Sequence, residues 1–308
     1  LADTILIYHA QRADRFAASL RPLLPDAVLI AAGSAAEAAP HMDRADVLFG
    51  WRFPPELYGQ APRLRWVQSM GAGVEDLIAA PLPEGCLLTR VEGLFGGSMS
   101  EYAFAHMLAH SQQSGRQRAA QEAARWEPFL VGRLAGKRLG IAGAGSIGAE
   151  IARRAKAFDM EVWALVRTTR PMENVDRVLA TQAAAEFCAS VDYLISTLPH
   201  TEEAVGLVNP LQMKPGALLI NIGRGATIDE AAILQAVEAG RIQAVLDVFQ
   251  REPLPPEHPF WRTPGITVTP HISGPSVPEE VAAYFADNYR RFALGQPLLG
   301  LVNRQRGY

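Results

Sequence analysis

Arg224, Glu252 and His271 each follow closely on a short apolar run, and together they offer a cation, a carboxylate and an imidazole. Arg224 stands in Asn221-Ile-Gly-Arg-Gly225, between glycines that let a small molecule come close to the backbone. Glu252 follows Asp247-Val-Phe-Gln-Arg and precedes Pro253, while His271 lies in Thr269-Pro-His-Ile-Ser-Gly274. Reducing a 2-keto acid requires a hydride on the carbonyl carbon, a proton for its oxygen and a positive group for the carboxylate. These three residue types meet the last two needs. A neighbouring carboxylate favours imidazolium, so Glu252 would keep a proton available on His271 near neutral pH. Arg224 would bind the carboxylate and polarise the keto oxygen where negative charge grows. Read singly they are a solvated arginine, a loop glutamate and a satisfied histidine. Their coincidence at three strand ends, where open α/β sheets place ligands, favours the joint reading.

The hydride source is suggested by Gly143-Ala-Gly145-Ser-Ile-Gly148. An apolar strand runs into this GxGxxG, and Ile147, Ile151, Ala155 and Phe158 then recur at helical spacing. Gly143 permits the turn, Gly145 lets a pyrophosphate approach, and Gly148 lets helix and strand pack closely. The helix N-terminus at Ser146 and Ile147 turns free amides and a positive dipole end toward the phosphates. The next strand ends Glu161-Val-Trp-Ala-Leu-Val166 and continues Arg167-Thr168-Thr169-Arg170, with no acid at its end to hold a ribose 2′-hydroxyl. Arg167 and Arg170 suit a 2′-phosphate, so NADP(H) is preferred to NAD(H), which is the second choice.

These residues need a scaffold. Apolar runs at Thr4 to Tyr8, Ala27 to Ala31, Asp46 to Phe49, Arg65 to Gln68 and Leu87 to Thr89 predict a first α/β layer with a mostly parallel sheet. At Ser98-Met-Ser-Glu101 a capping box predicts the start of a long helix, polar and basic from Gln112 to Arg125. Six further parallel strands are expected at Leu139 to Gly143, Glu161 to Val166, Tyr193 to Thr197, Leu218 to Ile222, Ala244 to Val248 and Ile266 to Thr269. A helix from Asp229 to Ala239, with an aspartate cap and Gly240 after it, completes a doubly wound pattern. A last amphipathic helix, about Glu279 to Leu294, returns the chain to the first layer. The expected fold is α/β in two domains: a flavodoxin-like substrate domain, 1–97 with 275–308, and a Rossmann nucleotide-binding domain, 98–274.

Composition narrows the partners. With 308 residues, 49% apolar and a net charge of −3, the chain has enough material for two cores and no one-signed field for nucleic acid. Its apolar stretches fall well short of the roughly 20 residues that span a bilayer. No basic region followed by a cleavable apolar one opens the sequence, so a cytoplasmic setting is expected. Cys86 and Cys188 fit small buried hydrophobes rather than a disulfide framework, and no metal site is expected.

From Ser98 to Gly274, GAGSIG, NIGRG, LDVFQREPLP and TPHISG in that order resemble the D-isomer-specific 2-hydroxyacid dehydrogenases. The resemblance implies Arg224 as substrate binder, Glu252 as partner of the histidine and His271 as acid and base. It further implies that Asp247 contacts the nicotinamide carboxamide, that Leu198 and Pro199 lie along the adenosine, and that Ile222 and Gly223 touch the nicotinamide ribose. Phe49-Gly-Trp51, Met70-Gly-Ala-Gly-Val-Glu-Asp76 and Arg125-Trp126-Glu-Pro128 look most like the glyoxylate/hydroxypyruvate reductases within that family. By that likeness Met70, Gly71, Ala72 and Gly73 form a loop whose amides hold the substrate carboxylate, as an anion nest can. Trp51 and Trp126 would bound the substrate pocket, Trp126 reaching across a dimer interface. The expected reaction is reduction of a small 2-keto acid to the D-2-hydroxy acid in a cleft between the domains, with a homodimer as the assembly. The rival is a non-catalytic nucleotide sensor like the C-terminal-binding corepressors. Formate dehydrogenases, which pair their histidine with glutamine, fit less well because of Glu252.

Overall fold

The structure, a computed structural model, describes residues 2–304. Its contacts divide the chain into two units, one running to Leu94 and resuming at Ser276, the other Phe95–Pro275.

In the first unit β1 (Thr4–Tyr8), β2 (Val28–Ala32), β3 (Val47–Gly50), β4 (Trp66–Ser69) and β5 (Leu87–Thr89) form an all-parallel sheet in the order β2-β1-β3-β4-β5. This is the flavodoxin-like order. β3 and β4 are buried at every position, which is why their apolar runs are continuous rather than alternating. The first helix, α1 (Ala13–Leu20), turns Ala13, Phe16, Ala17 and Leu20 inward at helical spacing.

The second unit opens with α2 (Gly96–Ser111) and α3 (Ser114–Glu122). It continues through β6 (Arg138–Ala142), α4 (Ser146–Lys156), β7 (Glu161–Val166), β8 (Arg177–Ala180), α5 (Ala184–Ser190) and β9 (Tyr193–Ser196). β10 (Ala217–Asn221), α6 (Glu230–Glu238), β11 (Ile242–Leu246) and β12 (Ile266–Val268) complete it. Its seven strands are parallel, in the order β12-β11-β10-β9-β6-β7-β8. The chain enters at β6, winds outward to β8, then crosses back to β9. The strand order therefore reverses between β6 and β9, and a crevice for a ligand opens at such a switch point.

Three expectations need correction. A seventh strand, β8, joins the six foreseen; it is an edge strand in which only Leu179 is buried, so no strong apolar run marks it. The helix expected at Ser98 starts two residues earlier, at Gly96, and Ser98 lies inside it with its hydroxyl donating to the Phe95 carbonyl. Packing outweighs the local cap here: a Cβ at Gly96 would stand 3.1 Å from Glu150 Cβ on α4, so bare backbone lets the two helices meet. Nor is there one long helix, because Gln113 adopts φ +53 and separates α2 from α3.

The chain returns to the first unit as α7 (Pro278–Ala293). Phe285 stacks on Phe49 and Trp66, with ring centroids at 4.3 and 5.2 Å, and the buried Asn288 amide donates to Gln68 Oε1 at 3.0 Å. Apolar area and a satisfied polar pair thus tie this late helix to early strands. Among the described residues no helix is long and apolar enough to cross a membrane, and no group of three or more metal-ligating side chains is gathered.

Candidate active site

Arg224, Glu252 and His271 sit on the turns that leave β10, β11 and β12, three strands side by side in the sheet. Buried Asn221, at the end of β10, shapes the first turn: its side-chain amide donates to the Arg224 carbonyl at 3.3 Å and its Oδ1 accepts the Gly223 N–H at 3.2 Å. Thr227 donates its hydroxyl to the same Arg224 carbonyl at 2.7 Å. The half-buried Arg224 guanidinium is steadied by donating to the Gly223 carbonyl at 2.8 Å. A Cβ at Gly225 would stand 2.0 Å from the Phe249 carbonyl carbon, so only glycine lets this turn lie against the one after β11. There the Phe249 N–H donates to Glu252 Oε1 at 3.2 Å, and Glu252 Oε2 meets His271 Nδ1 at 2.8 Å. With a carboxylate as acceptor, Nδ1 carries the hydrogen and Nε2 is left for other business.

His271 itself has φ +54, an unusual conformation for a non-glycine residue. Asp247, fully buried, anchors it. The Asp247 carbonyl accepts the His271 N–H at 3.0 Å, and its carboxylate accepts the Ile272 and Ser273 N–H groups at 2.9 Å each and the Thr269 hydroxyl at 2.6 Å. Thr269 in turn meets the Tyr102 hydroxyl of α2 at 2.6 Å. Sequence reasoning assigned no role to Thr269 or Tyr102. The only signal for the first is its place two residues before the histidine, and nothing local marks the second.

The glycine-rich loop lies at the switch point. Gly143 takes φ +88, a Cβ at Gly148 would stand 2.9 Å from the Gly143 carbonyl oxygen, and around Gly145 a Cβ would meet nothing within 4 Å. The turn, the open space and the close packing thus fall on Gly143, Gly145 and Gly148 respectively. Gly145 caps α4, whose first turn begins at Ser146. Leu198, after β9, packs between two glycine turns: a Cβ at Gly143 would come within 3.2 Å of its backbone nitrogen and one at Gly223 within 2.7 Å. Arg167, Thr168 and Arg170 are exposed where the chain leaves β7, next to the loop's own strand. The loop therefore fits a dinucleotide: its amides and its open face match pyrophosphate.

In the first unit Trp51 and the Met70–Gly73 segment come together at the ends of β3 and β4. The Trp51 ring covers Gly71 so closely that a Cβ there would stand 2.3 Å from it. Two amides of the proposed nest are already engaged: the Met70 N–H donates to the Gly50 carbonyl at 3.0 Å and the Gly71 N–H to Ser69 Oγ at 3.2 Å. The loop is also fastened by the Val91 N–H, which donates to the Gly71 carbonyl at 3.0 Å. Trp126 is 97% exposed on the segment between α3 and β6. A second histidine, His258, also meets a carboxylate, Glu230 at 3.5 Å, while its Nδ1 accepts the Phe260 N–H.

The family signature described as "D-isomer specific 2-hydroxyacid dehydrogenase, NAD binding domain" matches residues 104–273. Over 317 aligned residues the chain is 34% identical to glyoxylate/hydroxypyruvate reductase A of Serratia proteamaculans, covering 99% of each protein. A crystal structure of a D-isomer specific 2-hydroxyacid dehydrogenase family protein from Aeromonas salmonicida superposes with a TM-score of 0.90 at 35% identity, over 99% of this chain and 100% of that one. The NADPH-dependent glyoxylate/hydroxypyruvate reductase of Sinorhizobium meliloti, solved with NADP and sulfate, superposes with a TM-score of 0.90 at 29% identity over 100% of both chains.

Proposed function

The chain belongs to the D-isomer specific 2-hydroxyacid dehydrogenase family, and from that premise we propose how its residues reduce a small 2-keto acid, of the glyoxylate or hydroxypyruvate kind, to the D-2-hydroxy acid. The observation that carries the reading is the 2.8 Å contact between His271 and Glu252, on a turn packed against the one that bears Arg224. The reduced nicotinamide dinucleotide, when bound, supplies the hydride. His271 gives a proton from Nε2 to the carbonyl oxygen, with Glu252 holding the ring at Nδ1 and fixing its orientation. Arg224 binds the substrate carboxylate and stabilises the charge that grows on the oxygen.

Gly143, Gly145, Ser146, Ile147 and Gly148 would hold the pyrophosphate, and Arg167, Thr168 and Arg170 the 2′-phosphate, which favours NADP(H) over NAD(H). Leu198, Pro199, Ile222 and Gly223 would bound the adenosine and nicotinamide ribose, with Asp247 at the nicotinamide end. In the first unit, Trp51 and the Met70–Gly73 loop, through the Ala72 and Gly73 amides rather than the engaged Met70 and Gly71 ones, would recognise the small acid. The exposure of Trp126 and of Leu130, 97% and 93%, supports a homodimer in which a second copy covers this segment. We take the setting to be cytoplasmic.

Following NADPH absorbance with glyoxylate, hydroxypyruvate and a bulkier 2-keto acid tests the reading directly. Turnover of the small acids, faster than of the bulky one, is expected. NADPH binding without consumption of any of them would leave a nucleotide sensor instead.

A further inference from the structure

We propose that Tyr102 and Thr269 are positioning residues: with Asp247 they form a hydrogen-bonded brace that holds His271 in its left-handed backbone conformation and so sets the imidazole against Glu252. The inference rests on the reading of His271 as the proton donor and assigns it a support from a different element, α2.

The direction of the hydrogens is determined by counting. Thr269 has one hydroxyl hydrogen, and at 2.6 Å from Asp247 Oδ1 it is donated to the carboxylate. The Tyr102–Thr269 contact, also 2.6 Å, must then have the phenol as donor. Burial pushes the Tyr102 hydroxyl up to about 12, so it keeps its hydrogen across the working range. Beside the Tyr102 ring lies His106, with centroids 4.5 Å apart, whose pKa burial lowers, so it brings no lasting positive charge to the brace at neutral pH.

Asp247 gathers the whole turn. Three consecutive amides, 271 to 273, end on its carbonyl or carboxylate, and the Thr269 hydroxyl takes a further site on Oδ1. A fully buried carboxylate has few other partners, so losing one donor leaves it under-satisfied and free to pull the remaining amides elsewhere. The amide whose position matters most belongs to His271, whose φ of +54 persists only while its surroundings enforce it. The other side of the turn also rests on α2: a Cβ at Gly274 would stand 3.3 Å from Met99 Sδ. A shift of about 1 Å in the imidazole is enough to lower turnover by about a hundredfold without touching substrate affinity.

The test compares Thr269→Val, Thr269→Ser, Tyr102→Phe and the Tyr102→Phe/Thr269→Val pair with His271→Ala, measuring kcat and KM for glyoxylate, NADPH affinity by fluorescence and the melting temperature. The brace predicts that Thr269→Val loses about 10-fold to 100-fold in kcat, with KM and NADPH affinity within about twofold of the parent. Thr269→Ser, which keeps the hydroxyl, should recover most of the loss. Tyr102→Phe should lose less, and the pair should be no worse than Thr269→Val alone, because Tyr102 acts through Thr269. Should Thr269→Val fail to fold, Tyr102→Phe and Thr269→Ser still decide: kcat lowered selectively in the first and retained in the second supports the brace, and the converse overturns it. An unchanged kcat in a folded Thr269→Val enzyme whose His271→Ala counterpart is inactive overturns the brace and leaves the function intact. So does a serine variant no better than valine. Normal turnover by His271→Ala would instead remove the reading on which the brace rests.

Discussion

His271 Nδ1 and Glu252 Oε2 lie 2.8 Å apart although 19 residues separate them in the chain, and the two belong to turns after neighbouring strands β11 and β12. The contact orients the ring, ties the imidazole to a carboxylate and leaves Nε2 as the nitrogen turned away from Glu252. Glu252 is itself held by the Phe249 N–H, so the pair is set by the turn and not by two mobile side chains alone.

Removing the proposed proton donor should cost the most. His271→Ala is expected to lower kcat/KM by about 10²-fold to 10⁴-fold, the usual range for general acid–base catalysis, with NADPH still bound. Arg224→Ala should lose a comparable factor because both carboxylate binding and charge stabilisation disappear. Glu252→Gln should be milder, about tenfold to a hundredfold in kcat. Steady-state kinetics with a fluorescence measurement of NADPH affinity separates these losses from cofactor loss; near-parental turnover in His271→Ala would refute its role.

Two glycines should respond in opposite ways to the same substitution. Gly225→Ala drives a Cβ into the Phe249 backbone, so the fold should lose roughly 3 kcal/mol, the upper end of what forced overpacking costs. Gly145→Ala meets no atom within 4 Å and should melt close to the parent, yet bind NADPH more weakly because the pyrophosphate must approach that position. Melting curves and cofactor titrations on the two proteins check both halves.

Arg167→Ala and Arg170→Ala should each raise KM for NADPH by about tenfold or more while leaving KM for NADH within a factor of about two, since only the 2′-phosphate distinguishes the cofactors. Equal effects on both would mean that the arginines do not read the phosphate.

The Cys86 thiol is pushed up to about 11 by burial, with Arg304 opposing. A raised thiol pKa means that the reactive thiolate is scarce below it, so at pH 7.5 alkylation should run roughly a hundredfold slower than for a free thiol and quicken as pH rises. Cys188, fully buried and also raised by burial, should be slower still. Rapid labelling of the folded protein at neutral pH would contradict this.

Much of the scaffold was legible because parallel strands buried on both faces must be apolar throughout: β1, β5 and β7 fall on their anticipated residues, and the others lie within a few residues of theirs. β8 was not, since an edge strand with Arg177 exposed carries no such run. The capping box at Ser98 misled because a local rule cannot register that Gly96 lies against Glu150 on another helix.

Residue type and position after a strand were sufficient to nominate Arg224, Glu252, His271 and the glycine loop as candidates, since each chemistry needs its particular group and each turn its particular backbone freedom. What only the folded chain decided is how those groups are held: the choice of Nδ1 for Glu252, the left-handed backbone at His271, and the convergence of Tyr102, Thr269 and three amides around Asp247. Hydrogen bonds between residues up to 167 positions apart leave no periodic trace along the chain, because they depend on where strands and helices meet in space and not on what lies next in sequence.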